Sequence, residues 1–263
     1  AMGITGTDVA KESSDMVLAD DNFASVVAAV DEGRAIFNRL RNVVFFSLST
    51  NLGELLSLIF AVSIIGLAPL LAVQIIWINL VTDTSVEIPL GLEPKFGDEL
   101  KQPPRHPKVG LIYPGLLFRI CFLALLMSLG VFFIFNWAQA RYGIDEARTL
   151  AFCAIVTFSW LRVLNARSDE HTIFKLGIFK NRWLLIGITT AILLQMIVIY
   201  VPFMQTAFKT TPLSIGKWGI VLLAGLILFV IEEVRKVLLP NLFASGKFMP
   251  LKRSAAADGE GDK

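Results

Sequence analysis

Long apolar blocks constrain this chain more than any other feature. Residues 42–65, 70–91, 112–138, 147–165, 183–204 and 217–238 form six of them. Each is near the ~20 residues that a helix needs to cross a bilayer. In hydrocarbon every backbone N–H and C=O must be satisfied within the spanning structure, which leaves helices and closed barrels. Blocks of this length without strict alternation are helices. The expected fold class is therefore an all-α polytopic membrane bundle of six transmembrane helices, preceded by a short α/β segment.

Composition agrees. Of 263 residues, 55% are apolar and 17% are charged, against roughly 25% charged in soluble domains. A net charge of +2 gives no basis for nucleic-acid binding. Cys121 and Cys153 lie in apolar runs without metal-ligand spacing, and read as buried thiols rather than a disulfide framework.

Residues 1–34 read as soluble structure. Met16–Ala19 is a candidate buried strand, Asp20, Asp21 and Asn22 form a turn and helix cap, and a helix from Phe23 carries Val26, Val27 and Val30 on one side. No proline breaks that helix before the first apolar block, so it is expected to run into the membrane. Residues 35–240 form the membrane domain. Residues 241–263, rich in Ala, Asp, Gly and Glu from Ser254 onward, read as a disordered tail.

Lysines and arginines fall unevenly between the two sets of connections. One set holds Lys95, Lys101, Arg105, Lys108, Arg162, Arg167, Lys175, Lys180, Arg182, Arg235, Lys236, Lys247, Lys252 and Arg253. The other holds Arg141, Arg148, Lys209 and Lys217. The bias places the first set, the N-terminal segment and the tail in the cytoplasm.

Polar groups inside two adjacent blocks carry the chemistry. Asn51 and Glu54 are three apart and share a helix face; Asn79, Thr82 and Asp83 share another. Only Gly66–Pro69 separates the blocks, so the helices are antiparallel neighbours. At 1.5 Å per residue the two polar stripes lie within ~6 Å of the same depth. An acid at the centre of a membrane helix costs roughly 3 kcal/mol on insertion scales, which makes it a functional-site candidate. Every donor is oxygen, the ligand set of a hard cation. Five side chains leave the shell incomplete, and backbone carbonyls or another helix must finish it. Glu87, one turn beyond Asp83, extends the stripe. Pro89 cannot donate to the Ser85 carbonyl, so the helix is expected to weaken there. Arg119 and Arg162 read as snorkelling or pairing residues. Glu232 and Glu233, beside Arg235 and Lys236, read as a solvated face. His106 and His171 lie in polar loops without a metal pattern.

At these residues the chain resembles the C-terminal part of P-type cation-transporting ATPases of the calcium-pump class. SSDMVLADDNFASVVAAVDEGRAIFNRLRN (13–42) is similar to the end of that family's phosphorylation domain and the stalk into its fifth membrane helix. STNLGEL (49–55) resembles the fifth-helix ion motif, NLVTD (79–83) the sixth-helix motif, and LEPKFGDELKQPPR (92–105) the following loop. The resemblance extends through LNARS (164–168) and covers nearly the whole chain. It implies the fifth to tenth helices of a pump, with residues 1–34 as a remnant of its phosphorylation domain. It implies Asn51, Glu54, Asn79, Thr82 and Asp83 as ligands of a transported ion, Ca²⁺ above Mn²⁺ or Na⁺. It further implies ATP and Mg²⁺ as requirements of an intact parent whose N-terminal half supplies the DKTGT aspartate and the nucleotide site. No catalytic or nucleotide-binding residue of that family falls within this chain.

Three features depart from the pattern. Ser159 stands where two-site calcium pumps have an eighth-helix glutamate. Thr84, Ser85 and Val86 follow Asp83 in place of Gly-Leu-Pro. Glu87 is an added acid. Two other classes use the same buried acids: an ATP-independent cation carrier, and a non-transporting membrane scaffold. The soluble start and the absence of a repeat between the two halves weigh against the carrier.

Overall fold

The computed structural model describes residues 1–97, 99–101, 110–169 and 171–239. Arg105, His106, Lys108 and the 241–263 tail lie outside the described residues. The described chain is helical: α1 Asp8–Glu12, α2 Phe23–Ile65, α3 Ala72–Trp77, a π-helical segment Ile78–Asp83, α4 Thr84–Gly91, α5 Pro114–Tyr142, α6 Ile144–Ala166, α7 Ile173–Leu176, α8 Arg182–Tyr200, α9 Pro202–Phe208 and α10 Ile215–Leu238.

Helix α2 is one element of 43 residues. Asn22 caps it by accepting from the Ala24 N–H at 2.9 Å. It ends at Gly66, whose φ of 79° is the left-handed conformation that glycine adopts without a Cβ penalty. It runs unbroken through residue 34, so the polar start and the first apolar block share one rod. The expected buried strand is not there. A single parallel bridge joins Met2 to Leu18, no strand occurs among the described residues, and Met16 and Val17 are each 45% exposed. One bridge gives a strand no second neighbour against which to bury its sides.

Five helices are long and apolar enough to span: α2, α5, α6, α8 and α10. The 70–91 block is helical over Ala72–Gly91, but the π segment divides it, and neither flanking α-helix reaches spanning length alone. This corrects the sequence reading of Pro89. The irregularity lies before it, while α4 continues through the proline. Pro89 and Ser85 instead meet Gly187 of α8, where a Cβ would stand 2.1 Å from the Ser85 carbonyl oxygen and 3.0 Å from Pro89 Cγ.

Helix α6 is the centre of the bundle. Its most apolar stretch is 89% buried, against 17–44% for the other four spanning helices. Small residues Ala147, Ala151, Cys153 and Ala154 let neighbours pack closely around it. Cys153 is buried as expected, but Cys121 is exposed on α5; both are free thiols.

Candidate functional site

The polar stripes meet as their spacing predicts. Asn79, in the π segment, donates through Nδ2 to Glu54 Oε2 on α2 at 3.1 Å and to the Ile75 carbonyl at 2.9 Å. Both amide hydrogens are thereby used, and the amide oxygen is left for another partner. Glu54, Thr82 and Asp83 are 4%, 1% and 3% exposed. Glu54 Oε1, Thr82 Oγ1 and Asp83 Oδ1 are buried without a hydrogen-bond partner.

Helix α6 brings one more such oxygen, Ser159 Oγ, while the orphaned Thr157 Oγ1 belongs to a residue that meets Gly225 of α10. Ser159 lies near the Asp83 carboxyl, and its Oγ has no hydrogen-bond partner. Buried polar groups are nearly always paired, and each orphan needs an explanation. The orphaned oxygens of Glu54, Thr82, Asp83 and Ser159, on α2, the π segment and α6, are left free to accept a further partner.

The π segment bears on this geometry. It widens the helix by one residue per turn, a feature frequent at functional sites. The Thr84 hydroxyl donates to the Asn79 carbonyl at 3.2 Å, and Ser85 donates to Val81 O at 2.5 Å. Two hydroxyls thus bond backbone carbonyls of the π segment.

Two predicted members stand apart. Asn51 is on α2 three residues from Glu54, but it is exposed. Glu87 is half-buried on α4, within electrostatic reach of Asp83. Among the described residues no cluster of three or more His, Cys, Asp or Glu forms a closed metal centre.

A charged layer lies beyond the site, where the chain leaves the apolar zone. Glu232 and Glu233 are 2% and 7% exposed, not a solvated face. Glu232 receives Arg119 Nε and Arg235 Nε at 2.9 and 3.0 Å. Glu233 receives Lys236 at 2.8 Å and Asn165 at 2.7 Å. Arg119 also pairs with Asp169, and Arg41 approaches Asp169 at 3.6 Å. Burial alone would raise the Asp169 carboxyl, but the charges of Arg119 and Arg41 and the Arg119 hydrogen bond outweigh it and hold the group at about 2.

A second cluster ties the loop after α4 to the bundle. Arg167 donates to Glu93 through Nε and Nη2 at 2.6–3.1 Å, Asn181 donates to the same carboxylate at 2.7 Å, and Asn42 donates to Arg167 O at 2.9 Å. Arg39 reaches the Glu93 carbonyl at 2.7 Å, and Lys95 reaches Asp31 and Glu32 at 2.8 Å. The stalk end of α2 is thus fastened to the 92–101 loop.

Spanning helices around a buried, oxygen-only constellation define an integral, multi-pass membrane protein of the ion-handling class. Comparison with known proteins narrows this. The profile described as "Cation transporting ATPase, C-terminus" matches residues 67–238. Calcium-transporting ATPase 1 of Bacillus cereus is 35% identical over 257 residues, covering 92% of this chain and 29% of the relative. Calcium-transporting ATPase type 2C member 2 of Rattus norvegicus is 39% identical over 243 residues, covering 90% and 25%. Probable cation-transporting ATPase F of Mycobacterium tuberculosis is 36% identical over 219 residues, covering 83% and 24%. The chain belongs to the cation-transporting ATPase family and matches the C-terminal part of its members. It spans about a quarter of the length of these relatives.

Proposed function

We propose that this chain is the transport half of an ATP-driven calcium pump, with the cation held between α2, the π segment and α6. The observation that carries this reading is the set of orphaned oxygens on Glu54, Thr82, Asp83 and Ser159. Glu54, Asn79, Thr82 and Asp83 are the core ligands. Asn51, exposed on the adjoining turn of α2, joins when a further helix packs there, and Ser159 supplies an oxygen where two-site pumps have an acid. Ca²⁺ takes six to eight oxygens at 2.3–2.6 Å, so the shell needs donors from that further helix. The names of the Bacillus and rat relatives support calcium. A second reading, Mn²⁺, Na⁺ or another cation, is favoured by the oxygen-only donor set and by the unspecific name of the mycobacterial relative.

The Ala72–Gly91 stretch makes the sixth crossing, and the N-terminal segment and tail face the cytoplasm. Residues 1–34 end a phosphorylation domain, residues 35–240 form the membrane domain, and 241–263 form a tail. ATP and Mg²⁺ act on domains of the intact pump, and the bilayer and that N-terminal half are the partners. The unbroken α2, clamped to the 92–101 loop, carries motion from the phosphorylation domain to Glu54. An ATP-independent carrier would have no use for such a rod.

The test uses the full-length pump containing this chain. Glu54→Gln or Asp83→Asn is expected to abolish Ca²⁺-stimulated ATP hydrolysis. Unchanged activation by Ca²⁺ in both variants would refute the assigned site.

A further inference from the structure

The connection between α8 and α10, residues 201–214, folds back onto the bundle. Helix α8 ends at Tyr200, and Val201 turns the chain with an extended backbone, ψ 122°. Pro202 then opens α9, its fixed φ suited to the first helical position. Three hydrogen bonds return to the last turn of α8. Gln205 Nε2 donates to Ile199 O at 2.7 Å, Thr210 Oγ1 donates to Val198 O at 2.9 Å, and Tyr200 Oη donates to Leu213 O at 2.7 Å. The connection is thereby held level with residues 198–200.

That level is an edge of the bilayer. The 19 residues of α8 cover about 28 Å at 1.5 Å each, close to the ~30 Å of a hydrocarbon core. Trp218, in the first turn of α10, donates from Nε1 to Tyr200 Oη at 3.0 Å. Paired Trp and Tyr side chains of this kind mark membrane interfaces. The charged layer of Glu232 and Glu233 lies at the other end of α10.

Helix α9 has two unlike faces. Inward, Phe208 is buried in the core; its ring makes a T-shaped contact with Trp77 of α3 at 5.1 Å, and its carbonyl accepts from the buried Gln74 at 3.1 Å. Met204, one turn earlier, packs on the same core. Outward, Phe203 is 76% exposed, beside the exposed Pro202, Thr206 and Ala207. The Thr206 hydroxyl is spent on the Pro202 carbonyl at 3.1 Å. Ile215, where the connection enters α10, is 92% exposed. No charged residue occurs between Arg182 and Lys209, and α8 leads into α9 with the exposed apolar Leu193, Ile197 and Tyr200. The outer face therefore continues the lipid-facing surface of α8, and its phenyl ring gains from lipid what water does not give it.

We propose that α9 is an interfacial anchor. It lies in the headgroup region at this end of the bundle, with the Phe203 ring at the acyl boundary, and its partner is a phospholipid surface rather than another protein. The exposed Lys209, which ends the helix, adds an ammonium at headgroup depth. Phe208 in turn meets Trp77, the residue before the π segment, so the anchor braces the end of α3 from the lipid side. The proposal does not depend on which cation the site takes.

The experiment uses the full-length pump, purified and reconstituted in phosphatidylcholine nanodiscs, with Phe203→Trp as the probe. The fluorescence that this tryptophan adds to that of the unmodified protein is expected to be largely lost in lipid brominated near the headgroup. It should be lost less in lipid brominated near the chain end, and it should resist iodide in the buffer. Quenching by iodide alone would put α9 in water. Quenching by neither agent would put another part of the pump over it, and stronger quenching from the chain end would sink it into the hydrocarbon. Each of these three results overturns the proposal. Ile215→Trp reads the same level from the other side of the connection, with the same outcomes, and decides the matter if Phe203→Trp does not fold.

Discussion

Replacing Glu93 with alanine should destabilise the protein far more than any surface change. Glu93 is 2% exposed and Arg167 is fully buried. The carboxylate accepts from Arg167 Nε and Nη2 and from Asn181 Nδ2. Among the described residues, Glu93→Ala leaves the guanidinium with the Gly177 carbonyl alone, at 3.1 Å. Breaking a buried pair from one side costs about 3–5 kcal/mol, because the surviving charge stays desolvated. Membrane proteins of this size seldom unfold reversibly, so the quantity to measure is a rate. Thermal unfolding in detergent, followed by tryptophan fluorescence, should be about a hundredfold faster or more if the pair is intact up to the transition state. Glu93→Ala/Arg167→Met removes both charges and should recover much of the loss, giving a large coupling in the double-mutant cycle. A Glu93→Ala protein within about 0.5 kcal/mol of wild type, or additive effects in the cycle, would refute the reasoning.

Two further outcomes follow from the same contacts. Asp169 has a folded pKa of about 2, below its unfolded value of 3.8, so it contributes stability present above pH 4 and lost as pH falls toward 2. The difference is worth about 2 kcal/mol. Asp169→Asn should lower stability at neutral pH and flatten the acid limb between pH 4 and 2; an unchanged limb in acid-unfolding curves would contradict this. Gly187→Ala places a Cβ 2.1 Å from the Ser85 carbonyl, a backbone atom that cannot rotate away. It should cost about 1–3 kcal/mol by forcing α8 off α4, whereas unchanged unfolding kinetics would show that the contact yields freely.

Much of the site is legible in the sequence because helical spacing and a short hairpin are local signals. Asn79 and Glu54 are 25 residues apart, yet 3.6-residue periodicity and the six-residue turn after Ile65 bring them together. The π segment is not legible: an extra residue per turn leaves the hydrophobic pattern nearly unchanged, and Pro89 drew attention to the wrong turn. The burial of Glu232 and Glu233 escapes for a different reason. Locally they look like the polar end of a spanning helix beside Arg235 and Lys236, while the partner that buries Glu232 is Arg119, 113 residues away.

The central claim is that a cation sits among Glu54, Asn79, Thr82, Asp83 and Ser159. Anomalous scattering from crystals of the full-length pump grown with Ca²⁺, or with Mn²⁺ as a stronger scatterer, tests it directly. The account predicts one strong peak within about 2.3–2.6 Å of Glu54 Oε1 and Asp83 Oδ1 when Ca²⁺ is bound. A peak at other residues, with the Glu54 and Asp83 oxygens still unpartnered, would contradict it.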